Sequence, residues 1–305
     1  MIEIISKIFI KDRENYNFPP VRKAYGIICA VCGIVLNLLM FFLKLMASAF
    51  TGSVAAAVDA VHNLTDSASS AVTLLSFLLS GQKKTKKFPL GKGRIEYIAG
   101  FIIAIVLITA GFQLAKASVM KIITPEPVTF SLISVSLLII SVLTKFYMAH
   151  FNSKYGKLIS SAALKASATD CLCDSIATLI AAFAVIAIKF TALNIGAWGG
   201  LAVSLFILYA GCKSAKDTIK MLLGSTPDDE MIEKINITAS RFPEIDSVNN
   251  IIMHDYGPEN RILSFNAYFS NDYSLYDAVG IKNRAEEELR NITGCEIQMI
   301  LCNTE

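Results

Sequence analysis

The fold of this chain is decided by one stretch within a long apolar run, Val58-Asp59-Ala60-Val61-His62-Asn63-Leu64-Thr65-Asp66. Four residues separate His62 from Asp66, which on an α-helix is a rise of about 6 Å and a rotation of roughly 40°. Both side chains therefore share one face of the helix. An imidazole and a carboxylate on one face suit a transition-metal ion. The stretch predicts a membrane-spanning helix that carries part of a metal site.

The same spacing recurs in Asp170-Cys171-Leu172-Cys173-Asp174, again inside an apolar run. Two helices with one such pair each supply four ligands, the number that a tetrahedral site needs. Each ionisable group at the bilayer centre costs at least about 2.5 kcal/mol, so we expect these groups to have a function. Structural charge pairs between helices are the alternative. The predicted metal ligands are His62, Asp66, Asp170 and Asp174.

The composition indicates a membrane protein with a soluble part. Of 305 residues, 54% are hydrophobic and 17% are charged, whereas about a quarter are charged in soluble domains. The mean hydropathy is +0.54, and the apolar residues lie mainly before residue 222. The net charge of +3 is modest and does not indicate a nucleic-acid partner. We predict a cytoplasmic N-terminal segment (1–24), a transmembrane domain (25–222) and a cytoplasmic domain (223–305).

Six apolar segments are long enough to cross a bilayer, which takes roughly 20 helical residues. The links at 7–23, 83–94 and 154–157 are rich in Lys and Arg, and the other links are nearly uncharged. Basic links face the cytoplasm, so both termini are expected there, in a multi-pass protein of the cell membrane. The predicted spans lie near 26–49, 55–80, 97–118, 129–151, 160–188 and 197–219.

The C-terminal part has the pattern of a small α+β domain. Its predicted order is α-β-β-α-β, with the turn Tyr256-Gly257-Pro258-Glu259-Asn260 between the first two strands. The predicted elements are a helix at 231–242, strands at 248–255 and 262–270, a helix at 273–291 and a strand at 295–302.

The first helical hairpin turns near residue 51, so residues equally far from this turn on its two helices lie at the same depth in the membrane. This reasoning predicts two further contacts. Lys44 and Asp59 lie at similar depth and are expected to form a structural ion pair near the outer face. Asn37 and Asp66 also share a depth, so Asn37 is either a supporting partner of the metal site or part of an ordinary interhelical hydrogen bond. Cys173 could approach the site, but packing as a small apolar residue is favoured. All seven cysteines are expected to be free thiols.

Several motifs together resemble the cation diffusion facilitator family. They are Gly52-Ser53 with Asp59 to Asp66, Phe88-Pro89-Leu90-Gly91-Lys92-Gly93-Arg94-Ile95-Glu96-Tyr97, Ala168-Thr169 with Asp170 to Asp174, and His254-Asp255-Tyr256-Gly257-Pro258. The resemblance implies a homodimer of six-helix protomers, each with a ferredoxin-like cytoplasmic domain. It implies efflux of a divalent metal in exchange for protons. The family's transport site falls on His62, Asp66, Asp170 and Asp174.

The chain departs from the family pattern at two places. Phe88 and Lys92 stand where many members carry histidines that bind a peripheral metal, so that site is expected to be absent. His254 is the only histidine in the C-terminal part. A metal cluster in the cytoplasmic domain is therefore not expected, and this domain is expected to serve dimerisation.

The ligand set favours zinc over manganese. One imidazole with three carboxylates suits tetrahedral zinc, whereas an all-oxygen set suits manganese. Manganese ranks close behind, with iron, cadmium and cobalt as further candidates, and no prosthetic group is expected. Metal binds deprotonated Asp and neutral His, so protons and metal compete for the site. The unperturbed pKa of a histidine is about 6.5, so His62 could gain and lose a proton near neutral pH and is a candidate proton carrier.

Two other classes of function compete with a proton-coupled exporter. A membrane metalloenzyme could use the same ligands to activate water, but no separate nucleophile, base or substrate-binding pattern is found in the sequence. The chain is therefore expected not to be an enzyme. A metal receptor or structural membrane dimer without transport is the second alternative, and the sequence does not separate it from an exporter.

Overall fold

The structure is a computed structural model that describes residues 2–10, 14–16, 18–51, 54–81, 84–124, 132–187, 195–223, 227–258, 260–269 and 275–303. Long helices form the first two thirds of the chain, and a mixed α/β region follows. In chain order the elements are α1 (Ile2–Phe9), α2 (Pro19–Thr51), α3 (Val54–Ser80), α4 (Ile95–Ile123), α5 (Leu132–Leu158), α6 (Ala162–Ala187), α7 (Ile195–Leu223), α8 (Asp229–Ala239), β1 (Ile245–Asp255), β2 (Arg261–Phe269), α9 (Leu275–Thr293) and β3 (Glu296–Asn303).

Five of the described helices are long and apolar enough to cross a membrane. They are Pro19–Ala49, Ile95–Ile123, Val135–Leu158, Ala162–Phe183 and Gly196–Leu223. The helix α3 also has a spanning length, since 27 residues extend about 40 Å. Its polar residues keep α3 out of the set of helices that are apolar enough to cross a membrane. The sixth span therefore stays a prediction.

The helix α3 is polar on its buried face and apolar on its exposed face. Asn63, Asp66 and Thr73 are buried, whereas Val61 and Leu75 are more than half exposed. Side chains on α2 follow the same rule, because Val35, Leu39, Phe42 and Met46 are exposed along one side. This arrangement reverses that of a soluble bundle and presents apolar side chains where lipid would contact them.

The helices α2 and α4 are joined by a buried ion pair. The Arg22 guanidinium donates to both carboxylate oxygens of Glu96, at 2.7 and 2.6 Å. Its Nε donates to the carbonyl oxygen of Ile159 at 3.0 Å, and Ser80 donates to Glu96 at 3.2 Å. Both charged side chains are almost fully buried. One arginine therefore fixes the end of α5 against the starts of α2 and α4.

The chain packs as two compact units that are not contiguous in sequence. The first unit comprises Met1–Gly81 and Ile95–Ile219, and the second comprises Gln82–Arg94 and Lys220–Glu305. The sequence division placed residues 82–94 in the transmembrane domain. The packing instead groups this link between α3 and α4 with the C-terminal unit.

Within the second unit, the observed order α8-β1-β2-α9-β3 is the predicted α-β-β-α-β. The strands form one sheet in the order β1-β2-β3. The hairpin strands β1 and β2 are antiparallel, and β3 is parallel to β2 because α9 crosses between them. Helix side chains such as Ile235 and Leu289 pack on Leu263, Phe265 and Met299 to form the core.

The link between α3 and α4 contacts the end of β1 in this unit. Arg94 donates from Nε to the carbonyl oxygen of Asp255 at 2.8 Å. Its guanidinium also lies 4.3 Å from the ring centre of Tyr256. A side chain at Gly93 would collide with the backbone of Tyr256 and Gly257. The close approach therefore requires glycine at position 93.

Candidate metal site

Three ligand-type side chains from two helices meet inside the first unit. The helix α3 supplies His62 and Asp66, and α6 supplies Asp174, with their ligand atoms all within 4.8 Å of one another. His62 Nε2 lies 3.9 Å from Asp66 Oδ2 and 3.7 Å from Asp174 Oδ1. The two carboxylate side chains are mostly buried, and that of His62 is 48% exposed. The i, i+4 pair on α3 thus faces α6, as its spacing requires.

The two distances from His62 are close to those expected in a tetrahedral site. With metal–ligand bonds of about 2.1 Å, neighbouring ligand atoms lie about 3.4 Å apart. The His62 distances of 3.7 and 3.9 Å exceed this value by a few tenths of an ångström. For one imidazole and two carboxylates to coordinate a single ion, the three ligand atoms, which lie within 4.8 Å of one another, would have to move closer together.

Asp170, the fourth predicted ligand, lies one turn before Asp174 on α6. It is buried at 8% exposure, but it does not belong to the three-residue cluster. The structure thus brings together three of the four predicted ligands. The role of Asp170 as the fourth stays a prediction.

A lysine from a third helix lies between the two clustered carboxylates. Lys145, on α5, donates from Nζ to Asp66 Oδ2 at 2.5 Å and to Asp174 Oδ2 at 2.8 Å. Its side chain is only 6% exposed. The site therefore joins α3, α5 and α6 through one ammonium group and two carboxylates.

Sequence reasoning missed Lys145 in this role. A signal was present, because a lysine inside an apolar span is costly unless it is paired. Its partners lie 79 and 29 residues away in the chain, so no local spacing indicated them. Arg22 as the partner of Glu96 was missed for the same reason.

Other polar side chains near the site bond to their own helix. Asn63 donates to the Asp59 carbonyl oxygen at 2.9 Å, and Thr65 to that of Val61 at 3.3 Å. On α6, Ser175 donates to the carbonyl oxygen of Cys171 at 2.9 Å. These bonds satisfy hydroxyl and amide groups locally.

The predicted ion pair between Lys44 and Asp59 is confirmed. Lys44 Nζ lies 2.7 Å from Asp59 Oδ2, and the lysine side chain is 4% exposed. Asp59 is therefore already bound to a lysine of α2, although it lies one turn from His62. This contact supports its assignment as a structural residue rather than a metal ligand.

Asn37 forms an interhelical hydrogen bond, and Cys173 packs as a small apolar residue; neither is placed as a metal ligand. The Asn37 amide donates to Ser70 Oγ at 3.5 Å, an interhelical contact between α2 and α3. The Asn37 Oδ1 atom has no hydrogen-bond partner among the described residues. Cys173 is fully buried beside Leu107, Val203 and Ile207. Apolar packing, not ligation, thus accounts for this cysteine.

The remaining cysteines also agree with the prediction. All seven are free thiols. Cys29 and Cys32, which are spaced as a CxxC motif, lie in an apolar cluster with Tyr25, Phe77 and Met148. Their spacing therefore serves packing.

The positions that differ from the family pattern have other partners. Lys92 Nζ lies 5.2 Å from the ring centre of Phe88, so these two residues form a cation–π contact. In the C-terminal unit, His254 Nε2 lies 3.3 Å from Ser264 Oγ on the neighbouring strand. Neither location forms part of the metal-ligand cluster found among the described residues.

A family model described as the cation efflux transmembrane domain matches residues 30–223. The match covers more than half of the chain and includes the site on α3, α5 and α6. The chain therefore belongs to the cation efflux family, also called the cation diffusion facilitators, and the resemblance of the sequence motifs is confirmed. This family transports divalent metal cations across membranes.

Individual relatives are distant but similar over most of their length. An uncharacterized transporter of Methanocaldococcus jannaschii is 24% identical over 86% of this chain and 93% of its own length. The cadmium, cobalt and zinc/H(+)-K(+) antiporter of Bacillus subtilis is 24% identical over 82% of this chain and 81% of its own. The cation-efflux pump FieF of Cronobacter sakazakii is 23% identical over 85% and 86%.

Proposed function

We propose that this protein exports divalent metal ions across the cell membrane in exchange for protons, with zinc preferred and manganese second. The observation that carries the proposal is the meeting of His62, Asp66 and Asp174 from two helices of the cation efflux domain. One imidazole and two carboxylates suffice to coordinate a divalent ion, and the two carboxylates are mostly buried between the helices. Asp170, which lies one turn before Asp174 on α6, completes the proposed ligand set.

The donor chemistry supports the choice of metal. The imidazole of His62 favours zinc, cobalt or nickel over manganese and calcium. The name of the Bacillus subtilis relative includes cadmium, cobalt and zinc, all of which bind imidazole. Its name also includes H(+), which agrees with the proposed exchange for protons.

Exchange with protons follows from competition for the same atoms. A metal needs Asp carboxylates and the imidazole in their deprotonated forms, so bound protons oppose bound metal. Exposure of the site to the more acidic side of the membrane would then release the metal. The same competition on the other side would favour loading, and the proton gradient would drive efflux.

The proposed working form is a homodimer with both termini in the cytoplasm and six spans per protomer. The basic links between spans two and three and between spans four and five support this orientation. The C-terminal α+β unit is proposed to join the protomers. We propose transport rather than catalysis because the relatives reported above are named as transporters, pumps and antiporters.

The test is metal uptake into proteoliposomes with an imposed pH gradient, run with zinc and manganese in parallel. Uptake by the wild type is expected to require the gradient and to be faster for zinc. Asp174→Ala is expected to abolish uptake, because it removes a ligand from the cluster. Asp217→Asn, a change at an exposed carboxylate of α7, is the control and is expected to transport normally.

Three results would count against the proposal. Saturable metal binding without flux, in folded dimeric protein, would indicate a receptor. Equal flux in wild type and Asp174→Ala would place the transport site elsewhere. Faster manganese uptake would reject the inferred role of His62 in metal choice.

A further inference from the structure

We propose that the ammonium group of Lys145 is a built-in competitor of the transported cation. It binds the two carboxylates that the metal needs, weakens metal binding and so favours release of the ion. The inference rests on the proposed transport site and adds to it a residue that neither the ligand pattern nor the family motifs indicated.

The geometry of Lys145 is that of a cation held by the site. Its Nζ lies 2.5 Å from Asp66 and 2.8 Å from Asp174, whereas His62 Nε2 lies 3.7 Å or more from both carboxylates. Among the described contacts, the shortest ones to these two carboxylates are thus made by the ammonium group. Charge-assisted bonds of this length are among the strongest that side chains form.

The lysine uses atoms that a metal would also use. Both of its bonds go to Oδ2 atoms, and one of these, on Asp66, is the atom that faces His62 at 3.9 Å. An ion bound to this oxygen and to His62 would displace the ammonium group, because both cations need the same oxygen atom. This competition lowers the affinity for the metal relative to the same carboxylates without the lysine.

Lys145 also comes from a different helix than the proposed ligands. Those ligands lie on α3 and α6, and Lys145 lies on α5. Movement of α5 relative to the other two helices would therefore change how strongly the lysine competes, with no change in the ligand pairs. This gives the site a means of alternating between tight and weak binding.

The lysine of the Lys44–Asp59 pair supplies a matched comparison. Lys44 is also buried, also pairs with a carboxylate of α3 and also comes from a neighbouring helix. Its partner is not in the metal cluster. Loss of Lys44 thus reproduces the loss of a buried charge without the loss of a competitor at the site.

The experiment measures zinc affinity of the full-length chain in detergent by equilibrium titration. Lys145→Met is expected to lower the Kd for zinc about ten-fold or more, given the coupling energies of close charge pairs. Lys145→Arg keeps the charge and is expected to stay near the wild-type Kd. Lys44→Met is the control and is expected to leave the Kd within about two-fold. A purely structural role would weaken binding in Lys145→Met, not tighten it.

An unchanged or higher Kd in folded Lys145→Met would overturn the proposal. A second measurement uses the wild-type protein, so it does not depend on whether a variant folds. Zinc is expected to increase chemical modification of the Lys145 amine, detected by mass spectrometry, and to leave that of Lys44 unchanged. Equal modification of Lys145 with and without zinc would equally reject displacement.

Failure of the transport proposal would give a different pattern. Tighter binding in Lys145→Met together with no wild-type flux would keep the competitor and reject the exporter. Wild-type flux together with an unchanged Kd in Lys145→Met would keep the exporter and reject the competitor.

Discussion

Among the described residues, Arg22 pairs with Glu96, Lys44 with Asp59, and Lys145 with both Asp66 and Asp174. Each contact joins two helices through a nearly buried cationic side chain. Removal of one partner from a buried pair leaves an unpaired charge and typically costs about 3–5 kcal/mol. Loss of a single charged side chain in this bundle is therefore expected to lower the free energy of unfolding substantially.

We expect Glu96→Gln to destabilise the folded chain markedly. The amide cannot neutralise the Arg22 guanidinium, which is bound on both of its terminal nitrogens to the carboxylate. The expected loss is about 3–5 kcal/mol of unfolding free energy. Unfolding in detergent by heat, followed through helical circular dichroism, would detect it as a clear fall in the midpoint.

Glu14→Gln provides the comparison for that measurement. Glu14 is an exposed carboxylate of the same unit, and its loss is expected to change stability by less than about 0.5 kcal/mol. Similar midpoints for Glu96→Gln and Glu14→Gln would show that the buried pair contributes little to stability.

The sequence predicted the residues that follow from local geometry. His62 and Asp66 come from helical spacing, and Lys44 with Asp59 comes from counting depth on either side of a hairpin turn. Lys145 was not predictable in this way, because its partners lie on two other helices. Spacing within one helix carries no information about which distant helix packs against it.

At the level of elements, α3 shows the limit of hydropathy as a guide to spans. Its buried face carries serines and threonines such as Ser67, Ser70, Thr73 and Ser76, which lower its average hydropathy. Hydropathy averages over all faces of a helix, whereas the bilayer contacts only the outer one. The apolar outer face of α3 is thus the better reason to expect a sixth span.

The elements of the C-terminal unit were predicted to within a few residues. Alternation and turn residues indicated each strand, and β2 begins at Arg261 where 262 was expected. The first helix begins at Asp229, two residues before the predicted start. The packing of residues 82–94 with this unit was not predicted, because it depends on contacts between segments far apart in the chain.

Gly93→Ala is expected to displace the link between α3 and α4. An added Cβ would lie 2.6 Å from the Tyr256 carbonyl oxygen and 2.9 Å from the Gly257 Cα. Backbone atoms cannot move aside as a flexible side chain can. Hydrogen exchange of the amides at 84–94, measured by mass spectrometry, should become faster in the variant.

The matched change is Gly280→Ala in α9. A Cβ at this position meets nothing within 4 Å, and alanine is favoured over glycine in a helix by about 0.5–1 kcal/mol. This variant is expected to slow exchange within α9. Unchanged exchange at 84–94 in Gly93→Ala would mean that the link does not depend on this close approach.

At the scale of the whole molecule, segments of the two units alternate along the chain. The second unit takes residues 82–94 from between two long helices and then everything after residue 219. The predicted boundaries at 24 and 222 assumed one unit after another. Composition changes sharply near residue 222, which is why the second boundary was predicted there, but a short basic link has no composition that assigns it to either unit.

The predicted topology can be tested with single cysteines in a background that lacks the native ones. In right-side-out vesicles, a membrane-impermeant maleimide is expected to label Thr51→Cys and Thr124→Cys. Lys84→Cys and Glu14→Cys are expected to react only after permeabilisation. Different sides for positions 51 and 84 would establish that α3 crosses the bilayer. If both positions react from the same side, α3 does not cross the bilayer.

The sequence separation of the Arg22 contacts has a consequence for biosynthesis. Glu96 and Ile159 follow Arg22 by 74 and 137 residues. Ribosomes add about 5–20 residues per second, so the arginine emerges roughly ten seconds before its last partner. The start of α2 can therefore form all of these contacts only after α4 and α5 have been made, and the packing of the early helices is incomplete until then.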